Sequence, residues 1–349
     1  MSKRIDYWDN MKAVLIFLVV LGHVILPVRE NNDVLSVLFY TIYLFHMPAF
    51  VFVAGFFSKN YVKKGTHNVN KLFGFVGLYI IFKLILYTID LGFNHDDAVF
   101  SLFYEPGAPW YLLAMFWWYV LLPLFAKVRR PVCIIITTVL ALLVGEEDGI
   151  DSTLVMSRTL IYFPFFMLGY YFDGSIINKI GNKAKVIGTM GIVAVVAVVA
   201  YAKDAILYVE PMIFGDKGYF MVEDKVEIGQ PILIRFILMI TALAMIALVM
   251  LLIPKRKTVF SKIGRRTLSI YIVHKILLEI LKEYHIYDTM QISDWALVLF
   301  CLTASVLLTF VSGLKIFDVT INKIFKLGKK AKIEKGDQYE KNKRYSTGV

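Results

Sequence analysis

The side chains best able to do chemistry in this 349-residue chain are few, and they lie within or beside long apolar runs. Lys12 and His23 are set apart by their spacing. Over eleven residues a helix turns through three full turns plus about 20°, so both side chains fall on one face. Along the axis they stand roughly 16 Å apart. A lysine at the mouth of such a helix can hold an anion as a point charge. An imidazole deeper on the same stripe is the side chain best suited to take a proton near neutral pH. The intervening run AVLIFLVVLG offers His23 no polar neighbour, so a partner has to come from other helices. The plainer alternative is a histidine packed in the core.

The remaining candidates carry the same double reading. His46 stands in Phe45-His46-Met47-Pro48, followed by Ala54-Gly55. A proline in mid-span kinks the helix and can open a cavity beside a functional group, or His46 is simply packed at the kink. Trp110 and Tyr111 follow Pro109, as an interfacial aromatic belt or as platforms for a ring. Arg158 and His274 are ionisable groups inside apolar runs, able to orient an acceptor or to meet developing negative charge. Lys59, Lys63, Lys64 and Lys71 form a basic segment that either enforces topology or binds phosphates. Lys83, Arg235 and Lys275 fit snorkelling or structural pairing. Asp6 and Asp9 suit the positive end of the first helix. The two cysteines, Cys133 and Cys301, each lie in an apolar run, which excludes a disulfide framework; no metal site is expected.

The elements that must position these residues are helices in lipid. Residues AVILMFWYC make up 58% of the chain, charged residues 19%, and the mean hydropathy is +0.66, an apolar excess that a soluble fold of this length cannot bury. Ten runs approach the length of a membrane crossing, about 20 residues: 11–28, 34–57, 72–92, 108–126, 132–145, 154–172, 186–202, 232–253, 267–284 and 295–317. With the N-terminus inside, 28 of the 38 Lys and Arg residues fall in inner segments or the tail and four in outer loops. Acidic clusters such as Glu146-Glu147-Asp148 mark the outer loops instead. This alternation follows the positive-inside rule. The expected fold is therefore an all-α polytopic membrane protein of about ten transmembrane helices, with both termini cytoplasmic. Residues 1–319 form one membrane domain, and 320–349 a basic, disordered tail against anionic headgroups. The net charge of +11 is topological, which argues against a nucleic-acid partner. The first span is retained rather than cleaved as a signal peptide. The Lys- and Ile-rich composition suggests the plasma membrane of a bacterium, and a homodimer is compatible with it.

At these residues the chain resembles acyltransferase family 3, the integral-membrane O-acyltransferases, especially the branch related to fucose 4-O-acetylase. The resemblance rests on Asp9-x-x-Lys12 leading through ten residues to His23 in LVVLGHV, and on FHMPAFVFVAGFF at 45–57. PWYLLAMFWWYVLLP at 109–123 and TLSIYIVH at 267–274 agree in type and order, and the likeness runs from residue 4 to about 317. It implies transfer of an acetyl group from acetyl-CoA to a sugar hydroxyl of an extracytoplasmic or lipid-linked glycan, such as a surface or capsular polysaccharide. Lys12 and His23 then match the family's basic-residue-x10-His motif, where many members carry Arg at the first position, and the resemblance implies that both are catalytic. Coenzyme A phosphates would lie near Lys12, Lys59, Lys63, Lys64 and Lys71. His23 would serve as general base or transient acyl acceptor, with His46, Trp110, Tyr111, Arg158 and His274 toward the sugar. Intramembrane His and Arg would equally suit a proton-coupled transporter or a flippase, although no inverted repeat is visible.

Overall fold

The computed structural model describes residues 6–63, 69–93, 99–147, 149–223, 229–286 and 292–326. All ten apolar runs are helical. In chain order the helices are α1 (Asp6–Ile25), α2 (Asp33–Tyr43), α3 (His46–Lys63), α4 (Val69–Gly92), α5 (Trp110–Phe125), α6 (Arg130–Leu143) and α7 (Met156–Tyr171). They continue as α8 (Asn182–Tyr208), α9 (Glu210–Phe214), α10 (Phe220–Glu223), α11 (Gln230–Leu252), α12 (Thr267–Glu283), α13 (Asp294–Ser312) and α14 (315–326). Among the described residues the only β pairing is one isolated bridge between Tyr104 and Thr153.

Six helical segments are long and apolar enough to cross a membrane: Asp6–Asn31, Asp33–Val62, Asn70–Gly92, Asn182–Tyr208, Gln230–Leu252 and Asp294–Ser312. Helices α5, α6, α7 and α12 have 14 to 17 residues, about 21–26 Å of rise against a hydrocarbon core of about 30 Å. Exposed Val186, Val193 and Val198 on α8 and Leu299, Val306 and Phe310 on α13 present the apolar surface that lipid requires.

Three local features shape the interior. Pro27 ends α1, because it has no N–H to continue the ladder, and a 3-10 turn over Leu26–Asn31 follows. The second apolar run breaks at Leu44-Phe45, so that Pro48 sits in the first turn of α3. The expected mid-span proline kink is therefore a helix break placed just before the proline, where a missing N–H costs nothing. Helix α3 packs most extensively on α7, and glycines make this approach possible. A Cβ added at Gly55 would lie 1.9 Å from the Phe166 carbonyl oxygen, and one at Gly169 1.9 Å from that of Phe52. Such small-residue contacts let membrane helices touch backbone to backbone. At the C-terminal end, α14 carries order to Lys326, and the Phe325 ring meets Phe75 edge-on at 5.2 Å. The first seven residues of the expected tail are thus helical; 327–349 lie outside the described residues.

Candidate active site

Helix α1 is the spine of the site. Lys12, Ile16 and Val19 line a cavity of about 270 Å³ on the side of the basic segments. Val19, His23 and Leu26 line a second cavity, of about 370 Å³, on the acidic face. Both cavities are also lined by Met47 and Tyr271, so they meet at Val19, Met47 and Tyr271. Positions 12, 16, 19 and 23 recur at helical spacing on one face, as the Lys12–His23 register requires.

The basic-side cavity is almost wholly apolar. Phe50, Val53, Ala54 and Phe57 of α3, with Phe75, Tyr111, Met115 and Phe325, form most of its wall. Lys12 is its one cation among the described residues, and its Nζ lies 2.9 Å from Asp9 and 5.4 Å from the centre of the Phe57 ring. Asp9, buried, also meets Arg265 at 3.2 Å. Its carboxylate therefore fastens Lys12 and the 3-10 segment Val259–Arg265 to α1, beyond any role at the helix end. Of the four loop lysines, Lys59 donates to the Phe172 carbonyl and lies 4.4 Å from the Phe56 ring centre. Lys71 donates to the Tyr119 hydroxyl at 2.5 Å. Neither lines the cavity. Lys63 ends α3, and Lys64 lies outside the described residues.

The acidic-side chamber is polar, and its charges are paired. Arg29 meets Glu210 at 3.0 Å and Glu30 at 2.9 Å. Glu210 also accepts from the Tyr40 hydroxyl at 2.9 Å. Arg158 donates to the carbonyls of Phe214 and Pro106, at 3.2 and 3.0 Å, and approaches Asp216 at 3.4 Å. Its guanidinium lies 5.2 Å from the centre of the Trp110 ring, which is itself stacked on Tyr162 at 5.4 Å. Trp110 thus holds Arg158 and shapes the wall. Tyr111 points about 100° away around α5 and lines the other cavity, facing Tyr271. His46 lines the chamber, its Nδ1 2.8 Å from the Ile42 carbonyl. His274 is fully buried and is not part of the chamber wall; it stands behind His23, with Nε2 2.8 Å from His23 Nδ1.

Sequence reasoning missed Arg29, Glu210 and Asp216, all three of which lie between the apolar runs. A lone acid in the apolar stretch Tyr208-Val-Glu-Pro-Met-Ile-Phe214 was the available signal for Glu210. The segment 209–223 folds back over the chamber, with Glu210, Met212 and Tyr219 buried. Lys83 and Lys275 are structurally paired, to Glu105 at 2.7 Å and Glu279 at 2.6 Å. Arg235 donates to the Met212 carbonyl beneath Tyr219. Among the described residues no cluster of three or more His, Cys, Asp or Glu is arranged to hold a metal ion.

His23 thus lines the polar chamber, on the same face of α1 whose Lys12, Ile16 and Val19 line the apolar cavity. The acyltransferase domain of the third acyltransferase family matches residues 5–314, which includes all of the acidic-side chamber and every wall residue of the basic-side cavity except Phe325. The chain belongs to acyltransferase family 3. Comparison with curated proteins and with solved structures returns no match. As a family member with six long apolar helices, it is a membrane acyltransferase.

Proposed function

We propose that this family 3 acyltransferase takes an acetyl group from acetyl-CoA on the cytoplasmic, basic side and transfers it to a sugar hydroxyl in the acidic-side chamber. The observation that carries this reading is the face of α1 on which Lys12 and His23 belong to different cavities that meet between them. Coenzyme A phosphates would be held near Lys12, and the pantetheine arm is slender enough to thread the cavity along Ile16 and Val19 toward His23. His23 acts as general base: it removes the acceptor proton as the hydroxyl oxygen bonds to the thioester carbonyl carbon. The carbon–sulfur bond then breaks, and the departing thiolate recovers that proton from the imidazole. The chamber suits a neutral polyhydroxy acceptor, since Arg29 and Arg158 already have acid partners and Tyr43 and Tyr162 contribute aromatic wall. A surface or lipid-linked glycan is an acceptor of this kind.

The test uses full-length protein in lipid nanodiscs with radiolabelled acetyl-CoA and no added acceptor. Wild type should bind saturably and hydrolyse the thioester slowly, while His23→Ala binds but loses turnover by about 100-fold or more, the range of a general base. Label retained covalently by wild type and lost in His23→Ala would make His23 an acyl carrier instead of a base. Absence of acetyl-CoA binding by folded wild type would overturn the donor assignment and leave a transporter as the better reading.

A further inference from the structure

His274 was expected to touch substrate, yet it lies behind His23, away from the chamber. Its Nδ1 is 2.6 Å from the Ile270 carbonyl oxygen. A carbonyl only accepts, so the proton of His274 resides on Nδ1. The ring is fully buried, contacts a carbonyl and another imidazole, and precedes Lys275 in sequence, surroundings that hold it neutral. A neutral imidazole has one N–H, so His274 Nε2 presents a lone pair. The atom 2.8 Å away is His23 Nδ1, which must then be the donor. The two ring planes lie within 9° of each other while the centroids are 5.2 Å apart with the nitrogens at 2.8 Å, so the rings meet edge to edge and the N–H lies close to the plane of the ring that accepts it. With its single proton placed on Nδ1, His23 keeps Nε2 bare on a ring that lines the chamber.

We infer that His274 is a positioning residue: it fixes the tautomer and orientation of His23 so that Nε2 is the basic atom. The inference rests on the reading of His23 as general base. A third group that orients the base is a general device of acid–base catalysis, and a neutral imidazole is a suitable one here. An ionised carboxylate at this depth would be costly to bury. Imidazole orients without bringing charge, and it still accepts the hydrogen bond when His23 becomes imidazolium. His46 has the same carbonyl clamp, through Ile42 at 2.8 Å, and so provides an internal control that His274 does not touch.

The test needs a readout beyond activity. Full-length protein labelled with 15N at the histidine ring nitrogens, in nanodiscs, reports each tautomer directly; the His23 signals are those absent from His23→Ala. The expected result is protonated Nδ1 and bare Nε2 at His23 in wild type. Movement of the proton toward Nε2 is expected in His274→Ala, and restoration in His274→Gln, whose amide oxygen can replace the lone pair. His46 signals should stay unchanged. In parallel, acetyl-CoA hydrolysis with water as acceptor should lose about 100-fold in kcat in His274→Ala, with KM within about twofold. His274→Gln should recover about tenfold of that loss. A purely structural role would lower yield or melting temperature and would not separate the Ala and Gln variants in kcat. Protonated Nε2 at His23 in wild type would overturn the inference even if His274→Ala failed to fold. So would folded Ala and Gln variants with equal kcat. Should wild type neither bind nor hydrolyse acetyl-CoA, the acyltransfer reading fails, and the tautomer measurement still decides whether His274 clamps His23.

Discussion

The two cavities share helix α1 and three wall residues, yet they are opposites. On the basic side the wall is built from Phe50, Val53, Phe57 and Phe75, with Lys12 as its single described cation. On the acidic side Arg29, Arg158, Glu210 and Asp216 converge on a space about a third larger, roofed by a chain segment that folds back from the loop. The contrast fits the roles proposed for the two regions. An apolar passage excludes water from a thioester. A polar acceptor needs directional partners, and these must be fixed beforehand, because ordering them during reaction would raise the barrier. The ion pairs of the chamber would supply this rigidity, and the His23 ring lines the chamber one helical turn from the Val19 junction.

The comparison breaks most severely if the junction is closed. Val19 is 3% exposed and lines both cavities. In Val19→Trp an indole should fill the constriction and part the donor carbonyl from the chamber. Single-turnover release of acetate from acetyl-CoA should fall about 100-fold or more, the scale of loss that a displacement of about an ångström brings. Binding at the Lys12 mouth should persist. Wild-type turnover in that variant would show that the two cavities do not communicate there.

How much of this was open to a reader of the sequence depended on range. The Lys12–His23 face was legible, because α1 is regular and its periodicity fixes which residues share a side. The apolar runs became helices, since lipid leaves a spanning backbone few other choices. Contacts across the sequence were not legible. His23 and His274 are 251 residues apart, and nothing local in TLSIYIVH tells whether its imidazole faces a chamber or another ring. Glu210 and Asp216 were hidden by topology, because an acid that marks an outer loop looks the same as an acid that folds inward. Tyr111 was misplaced for a simpler reason: neighbours on a helix point in different directions, so Trp110 and Tyr111 serve different cavities.

The next largest effect sharpens the division of labour. Glu210→Gln keeps a partner for the Tyr40 hydroxyl but removes the charge that holds Arg29 at 3.0 Å. A hydrogen bond to a charged group carries about 1.5–3 kcal/mol. The apparent KM for octyl glycosides of neutral sugars should therefore rise roughly 10- to 100-fold. Acetyl-CoA affinity, measured by equilibrium binding, should stay within about twofold. An equal loss for both ligands would mean that the chamber and the passage are one site.

The smallest effect tests the mouth of the passage, and its sign is informative. Lys12 has a side chain 19% exposed and is already paired with Asp9, so its attraction for an incoming phosphate is shared and screened. Lys12→Ala should weaken acetyl-CoA binding by only about three- to tenfold, of the order of about 1 kcal/mol for a partly exposed ionic contact. That loss should shrink as salt is raised. Asp9→Asn should act in the opposite direction. Without the competing carboxylate, Lys12 offers its full charge to the donor, and binding should tighten about two- to threefold. The melting temperature should fall at the same time, because Arg265 loses its partner. Weaker binding in both variants would show that Asp9 places Lys12 rather than competes for it, and the ion pair at the mouth would then be part of the donor site itself.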